Sequence, residues 1–549
     1  MKFLKVLINS LISGIFFSSL LALLVLDLNV NHIFNISFFG ELTLFLTITY
    51  GVVITIICVF LFFIIQFFLG KKFKIAIISP SFLSMSFSLI LFLFLLIFKA
   101  NYDYFLSFFN LETRALLKTQ LMTLLFLAVL GLLSYFGYHS YKKKVLFFWF
   151  YLFLLGTAIT FAFYQRVNYP IPQKSKKVAN LEAKKIDRKI TIIGLEGLSF
   201  DFIIPLINEE KLPNFSWLME EGTWGKLKNF SPNEPLLLNN SFNTGKLPAK
   251  HRQISLLSYR FLKFNQEVEV VPRFIFFKQL TRTSLLLTSS KQPTSYTKDV
   301  WTIFKDNKTE FLLRDWPYDI AEEKASPGAE KLFNQFFKDL QFETSGIFNR
   351  LKKAFYADYE FEDRVTQEKI KKQPQFVYFM LNGLNIVETY FYKYSFPDLF
   401  GDIEQEEINK YSSVIERYYQ FYDGIIGKHL ASLKEDELLI VYSPHGIEAV
   451  PLWKRFVDLI FGNADVSAYH ELAPEGVVFF YGKEIVRGKN IEGMKLIDIA
   501  PTLLNYLGLP VGKDMDGIVN SSIFMERFKL GNPVLYISSY EEIAIKQPE

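Results

Sequence analysis

Apolar positions along the chain fall into two regimes. Before about residue 165 they form unbroken runs of roughly 20 residues, the length an α-helix needs to cross a bilayer. Five such runs stand out: Val6 to Leu26, Leu42 to Leu69, Ile75 to Phe98, Leu121 to Phe136 with flanks, and Val145 to Tyr164. The first is longer than the apolar core of a signal peptide and lacks a small-residue cleavage site, so it is expected to remain as an anchor. Beyond residue 190 the apolar runs shorten to four to eight residues and alternate with amphipathic stretches. KITIIGL, TSLLLTS, TEFLLRDW, PQFVYFML, ELLIVYS and GVVFFYG read as buried strands. The stretches between them, such as INKYSSVIERYYQFYDGIIGKHLASL, read as helices. Continuous apolar strands separated by helices predict an α/β domain with a doubly wound, mainly parallel sheet. The expected division is an anchor of five helices over 1–164, a basic linker over 165–189 and an α/β domain over 190–549.

Charge adds an orientation. Lys2, Lys5, Lys71, Lys72, Lys74, Lys142, Lys143 and Lys144 flank the runs on one side, whereas the loop DLNVNHIFNISFFGE carries no Lys or Arg. The positive-inside rule then puts the amino terminus inside and everything after Tyr164 outside the cytoplasm of a bacterial-type inner or plasma membrane. These lysines account for most of the net charge of +5. No basic nucleic-acid module accompanies them, so a membrane, and no nucleic acid, is the expected partner. Few ionisable groups lie within the runs, which favours an anchor over a transport pathway. The single cysteine, Cys58, lies in the second run, so the α/β domain forms no disulfide of its own.

Candidate chemistry lies where strands end, because doubly wound sheets build their sites at the carboxyl ends of strands. GLEGLS places Glu196 in a glycine-flanked turn after the first strand, and IVYSPHGI places His445 at the end of another. Both stretches belong to a longer resemblance. KITIIGLEGLSFDFIIPLINEEKLPNFSWLMEEGTWGKL, TGKLPAKH, VWTIFKD, RDWPYDIAEE, FVYFMLNGLNIVETYFYKY, IVYSPHGI, YHELAPEGVVFFYGKEI and IDIAPTLLNYLGLPVGKDMDG follow one another in order. Together they resemble type I phosphodiesterase/nucleotide pyrophosphatase proteins of the alkaline phosphatase (sulfatase-like) superfamily. The layout, five spans before such a domain, is also similar to envelope phosphotransferases such as lipoteichoic acid synthases and phosphoethanolamine transferases.

The resemblance implies two divalent metals held by three aspartates and three histidines, with a Ser or Thr nucleophile. Carried over residue by residue, the pattern is incomplete. Glu196 stands for an aspartate; the nucleophile falls on Pro235 or Glu234; the Asp-x-x-x-His pair falls on Asn385 and Thr389; and the Asp of Asp-His-Gly falls on Pro444. His445 and His470 keep the family's residue. Two readings follow from this set. One is a catalytically degenerate family member, without a cofactor, that acts by binding or scaffolding beside an active paralogue or an envelope enzyme. The other is an active phosphodiesterase, phosphatase or phosphotransferase on a phosphorylated lipid, glycan or nucleotide. It would use one divalent metal, zinc or another, at Glu196, His445 and His470.

Overall fold

The computed structural model describes the whole chain except residues 1, 31, 33, 70–74, 141–143, 169–178, 183–186, 256, 262–266, 291–296, 315–324, 341–342, 402, 461–464, 472 and 547–549. Lys71, Lys72, Lys74, Lys142 and Lys143, most of the basic linker, and RDWPYDIAEE beyond Arg314 therefore lie outside the described residues. The chain divides into two units: residues 1–173 with 248–295, and residues 174–247 with 296–549.

Five helices of the first unit are long and apolar enough to cross a membrane: Lys2–Leu28, Ile36–Phe68, Pro80–Tyr104, Leu111–Tyr138 and Val145–Val167. The helices overlap the apolar runs that announce them; the third starts later than its run, at Pro80, which supplies the first-turn residue whose missing N–H a helix does not need. The second helix carries a π-helical turn at Thr47–Gly51. The same unit holds a three-stranded antiparallel sheet of Glu267–Val268, Leu257–Phe261 and Leu286–Ser290. TSLLLTS thus contributes its strand to this small sheet and not to the main one. Residues 248–295 group with the apolar helices in the first unit.

The second unit is built on a seven-stranded sheet. Its strands are β1 (Lys189–Leu195), β2 (Thr223–Leu227), β3 (Phe311–Arg314), β4 (Phe376–Leu381), β5 (Glu437–His445), β6 (Glu475–Tyr481) and β7 (Lys489–Ile491). Their order is β7-β2-β6-β5-β1-β4-β3. All neighbouring pairs are parallel except those of β6, which runs antiparallel to both β2 and β5. Apolar residues at both parities explain why the strands read as continuous runs. Ile193, Val377, Phe379, Leu439, Val441, Val477 and Phe479 enter one core, while Ile192, Phe376, Tyr378, Leu438, Ile440, Val478 and Phe480 enter the other. The first core is closed by α1 (Phe200–Asn208), α2 (Pro213–Glu221), α4 (Gly346–Lys372), α5 (Gly383–Ser395) and α6 (Val414–Ser432). The second is closed by α3 (Pro235–Thr244), by Val300–Asp306 and by α7 (Ile499–Tyr506). The mainly parallel α/β architecture expected from the run lengths is what the chain adopts.

Candidate functional site

The site starts from two parallel neighbours, β1 and β5, paired in register from Lys189↔Glu437 to Gly194↔Tyr442. Two residues further on, β1 presents Glu196 and β5 presents Pro444, with His445 next. Glu196 stays tied to the sheet, its N–H donating to Leu381 O on β4 at 2.9 Å. The chain then turns at Gly197, where φ is +101° and a Cβ would stand 2.5 Å from Glu388 Oε2 and 3.2 Å from the Asn385 backbone. Only glycine allows the turn to lie this close to α5. The Gly197 N–H donates to Ser443 Oγ at 3.1 Å, and that hydroxyl donates to the His445 carbonyl at 2.7 Å. The ends of β1 and β5 are thereby locked together.

His445 is fully buried, and both of its ring nitrogens are engaged. Nδ1 is 2.9 Å from the Gly446 carbonyl and Nε2 is 3.1 Å from Glu196 Oε1, itself buried. A carbonyl oxygen only accepts, so Nδ1 carries a hydrogen. The Nε2···Oε1 contact then requires one proton between imidazole and carboxylate, and whichever atom bears it, the pair is neutral overall.

His470 stacks its ring on His445, with centroids 5.0 Å apart and planes inclined by 25°. A two-residue strand, Ala468–Tyr469, sets it there by pairing with Glu448–Ala449 just beyond β5. Burial holds the His470 imidazole down at about 4; His445 adds to this and Glu196 opposes it. His470 is thus uncharged at neutral pH, and among the described residues its ring makes no hydrogen bond.

The remaining sequence candidates surround this core. Asn229 donates to the Pro444 carbonyl at 3.3 Å, and Asn233 donates to the His470 carbonyl at 3.0 Å. Glu234 follows as the N-cap residue of α3 without a capping bond from its side chain, and Pro235 is the first helical residue. Asn385 lies in the first turn of α5, a helix start fixed by Asp358, which accepts the Gly383 N–H and the hydroxyls of Tyr418 and Tyr422. Asn385 Nδ2 donates to Asn382 Oδ1 at 3.1 Å, while its buried Oδ1 has no partner among the described residues. The Thr389 hydroxyl turns back to the Asn385 carbonyl at 2.8 Å, while its own carbonyl accepts the Ser467 N–H at 2.8 Å.

Glu388 was not legible from the sequence. It is fully buried beside Gly197, with Oε1 accepting from Tyr419 at 3.2 Å and Oε2 unpartnered among the described residues. Burial pushes its carboxyl well above the ordinary range, with the Tyr419 bond opposing. Its protonated form is favoured by that burial. Its position next to the Asn-x-x-x-Thr spacing is the only signal that could have drawn attention to it.

Two divalent ions require donors and compensating negative charge, and the residues present fit neither need. Pro444 has no donor, Asn385 and Thr389 carry no charge, burial disfavours the charged form of Glu388, and His445 spends both nitrogens on Gly446 and Glu196. What remains at the core is one Glu196 oxygen and the His470 ring, against about four donors for a tight zinc site. Among the described residues no group of three His, Cys, Asp or Glu side chains is arranged to hold a metal ion. The arrangement can hydrogen-bond and pack against a ligand, and it is electrically balanced without one.

The family model described as type I phosphodiesterase / nucleotide pyrophosphatase matches residues 190–497, more than half of the chain. No curated protein matches it.

Proposed function

The chain belongs to the type I phosphodiesterase/nucleotide pyrophosphatase family, and from that premise we propose that it is a membrane-anchored member whose strand-end cleft no longer performs two-metal phosphoryl transfer. It acts by binding, outside the cytoplasm, as a scaffold for an envelope enzyme or an active paralogue. The observation that carries this reading is the closed His445–Glu196 pair. In-line displacement between two metals places about four units of positive charge in the cleft. With the pair neutral, His470 uncharged and the charged form of Glu388 disfavoured by burial, such charge would be poorly compensated, at several kcal/mol per ion. No Ser or Thr stands at Glu234 or Pro235 to be activated as a nucleophile.

The second reading rests on a single observation, the His470 ring beside Glu196, a ring that makes no hydrogen bond among the described residues. A lone divalent metal there, with His445 swung off Gly446, would support a metal-dependent hydrolase or transferase. Metal analysis of the full-length protein purified without chelator separates the two readings. The proposal expects well under one equivalent of zinc, manganese or magnesium per chain. One equivalent that is lost in Glu196→Ala and His470→Ala contradicts it.

A further inference from the structure

Residues 248–295 interrupt the family-matched region and belong with the apolar helices. Side chains at the ends of those helices fix them there. Asn29, fully buried just past the first helix, accepts the N–H groups of Glu269 and Val270 at 2.8 and 2.9 Å and donates to the Val270 carbonyl at 2.7 Å. Asn101, fully buried in the last turn of the third helix, does the same for Arg273, accepting its N–H at 2.7 Å and donating to its carbonyl at 3.1 Å. Tyr50 donates to the Ile275 carbonyl at 3.0 Å and stacks on Phe277. Beyond Tyr50 the second helix continues as 18 α-helical residues, Val52–Leu69. At about 1.5 Å per residue this covers roughly 27 Å, close to the thickness of a hydrocarbon core. A span over Val52–Leu69 places Tyr50 and its partner Ile275 at the boundary of that core.

At this level two phenylalanine rings are left outside. Phe274 and Phe276 are 52% and 58% exposed, and both adopt a left-handed backbone, with φ of +67° and +56°. Bulky residues rarely take this conformation, and it persists where surrounding contacts impose it. Here the clamps on Arg273 and Ile275 impose it, leaving the intervening and following side chains in the open. Phe274 also meets the Tyr104 ring edge-on, with centroids 5.8 Å apart. Arg273, Lys278 and Arg282 flank the rings. Exposed aromatics bracketed by basic residues at the end of membrane helices match an element lying in the interface between headgroups and acyl chains.

We propose that residues 272–284 are a second membrane attachment, with the rings of Phe274 and Phe276 at the acyl boundary. The test uses the full chain in lipid nanodiscs. With Cys58→Ala as background, nitroxide labels are attached in Phe274→Cys and Phe276→Cys, with Phe60→Cys as the lipid reference and free nitroxide as the aqueous one. The ratio of relaxation by oxygen to relaxation by a nickel chelate at both positions should lie well above the free-nitroxide value and below that of Phe60→Cys, which sits near the middle of Val52–Leu69. A ratio matching free nitroxide, or labels shielded from both reagents by protein, overturns the proposal. Phe276→Trp, which keeps an aromatic ring, provides an independent readout: its added emission should be quenched by brominated lipid, and quenching by aqueous iodide instead rejects the attachment.

Discussion

His445 Nε2 lies 3.1 Å from Glu196 Oε1, a contact between residues 249 positions apart that joins the ends of two parallel strands in a buried setting. A carboxylate and a histidine at these strand ends are what the family resemblance assigns to metal ligation. Here they satisfy each other. The ring cannot turn toward a metal without giving up both the Gly446 carbonyl and the carboxylate.

Removing one member therefore exposes the cost of the other. Glu196→Ala leaves His445 buried without its partner, and loss of one side of a buried pair costs about 3–5 kcal/mol. The melting temperature of the full-length protein in detergent should fall by several degrees. Glu196→Gln, which keeps an oxygen near Nε2, should fall less. Equal melting temperatures for Glu196→Ala and the parent would show that the pair does not hold the strand ends together.

Acid should weaken the fold through His470. Its folded value of about 4 lies below the ordinary 6.5, so the unfolded chain takes up the proton first as pH falls. The contribution is fully present above pH 6.5 and is lost between 6.5 and about 4. His470→Gln should flatten the stability profile over that window. An unchanged slope would mean the ring is solvated.

Glu388 has the opposite sign. Its folded value lies well above the ordinary 4.5, so the folded form holds the proton more tightly. Its contribution is complete below pH 4.5 and is lost as pH rises through the folded value. In Glu388→Gln the decline of the melting temperature as pH rises above 4.5 should be shallower than in the parent. A steeper decline would contradict a protonated carboxyl at this position.

Much of this architecture was visible in the chain, and the parts that were not share a physical cause. The strands β1, β4, β5 and β6 were legible because both faces of each are buried, which forces apolar residues at every position. TSLLLTS has the same local pattern, yet its strand pairs with Leu257–Phe261 in the other unit, because a short apolar run does not specify its partner. Glu196 and His445 were legible as strand-end residues and His470 through the family resemblance, and the three do meet. That His445 would use both nitrogens on protein atoms depends on the registry of β1 with β5, which no local pattern encodes. Glu388 escaped notice because its burial comes from α5 packing on Gly197 and Tyr419, residues distant in sequence.

Orientation is testable apart from chemistry. Alkaline phosphatase fused after residue 549 should be active, and a reporter that works only in the cytoplasm should be silent. The reverse pattern would overturn the assignment drawn from the flanking lysines.

Restoring one ligand should not restore a metal centre. Pro444→Asp alone places a second carboxylate beside Glu196 while Asn385 and Thr389 remain, so metal content should stay at background. The combination of Pro235→Thr, Asn385→Asp, Thr389→His and Pro444→Asp is the first that supplies charge, donors and a nucleophile together. Metal uptake by Pro444→Asp alone would show that the site is closer to a working one than its donor set indicates.

The most direct test of the central claim is turnover of bis(4-nitrophenyl) phosphate by the unaltered full-length protein supplied with excess zinc or manganese. Loss of a nucleophile that acts in concert with its partners commonly lowers rates by about 10⁶-fold. The expected result is release of nitrophenolate no faster than in Glu196→Ala or in a chelator blank. Turnover that requires metal and disappears in Glu196→Ala would contradict the account and assign the cleft to a single-metal enzyme.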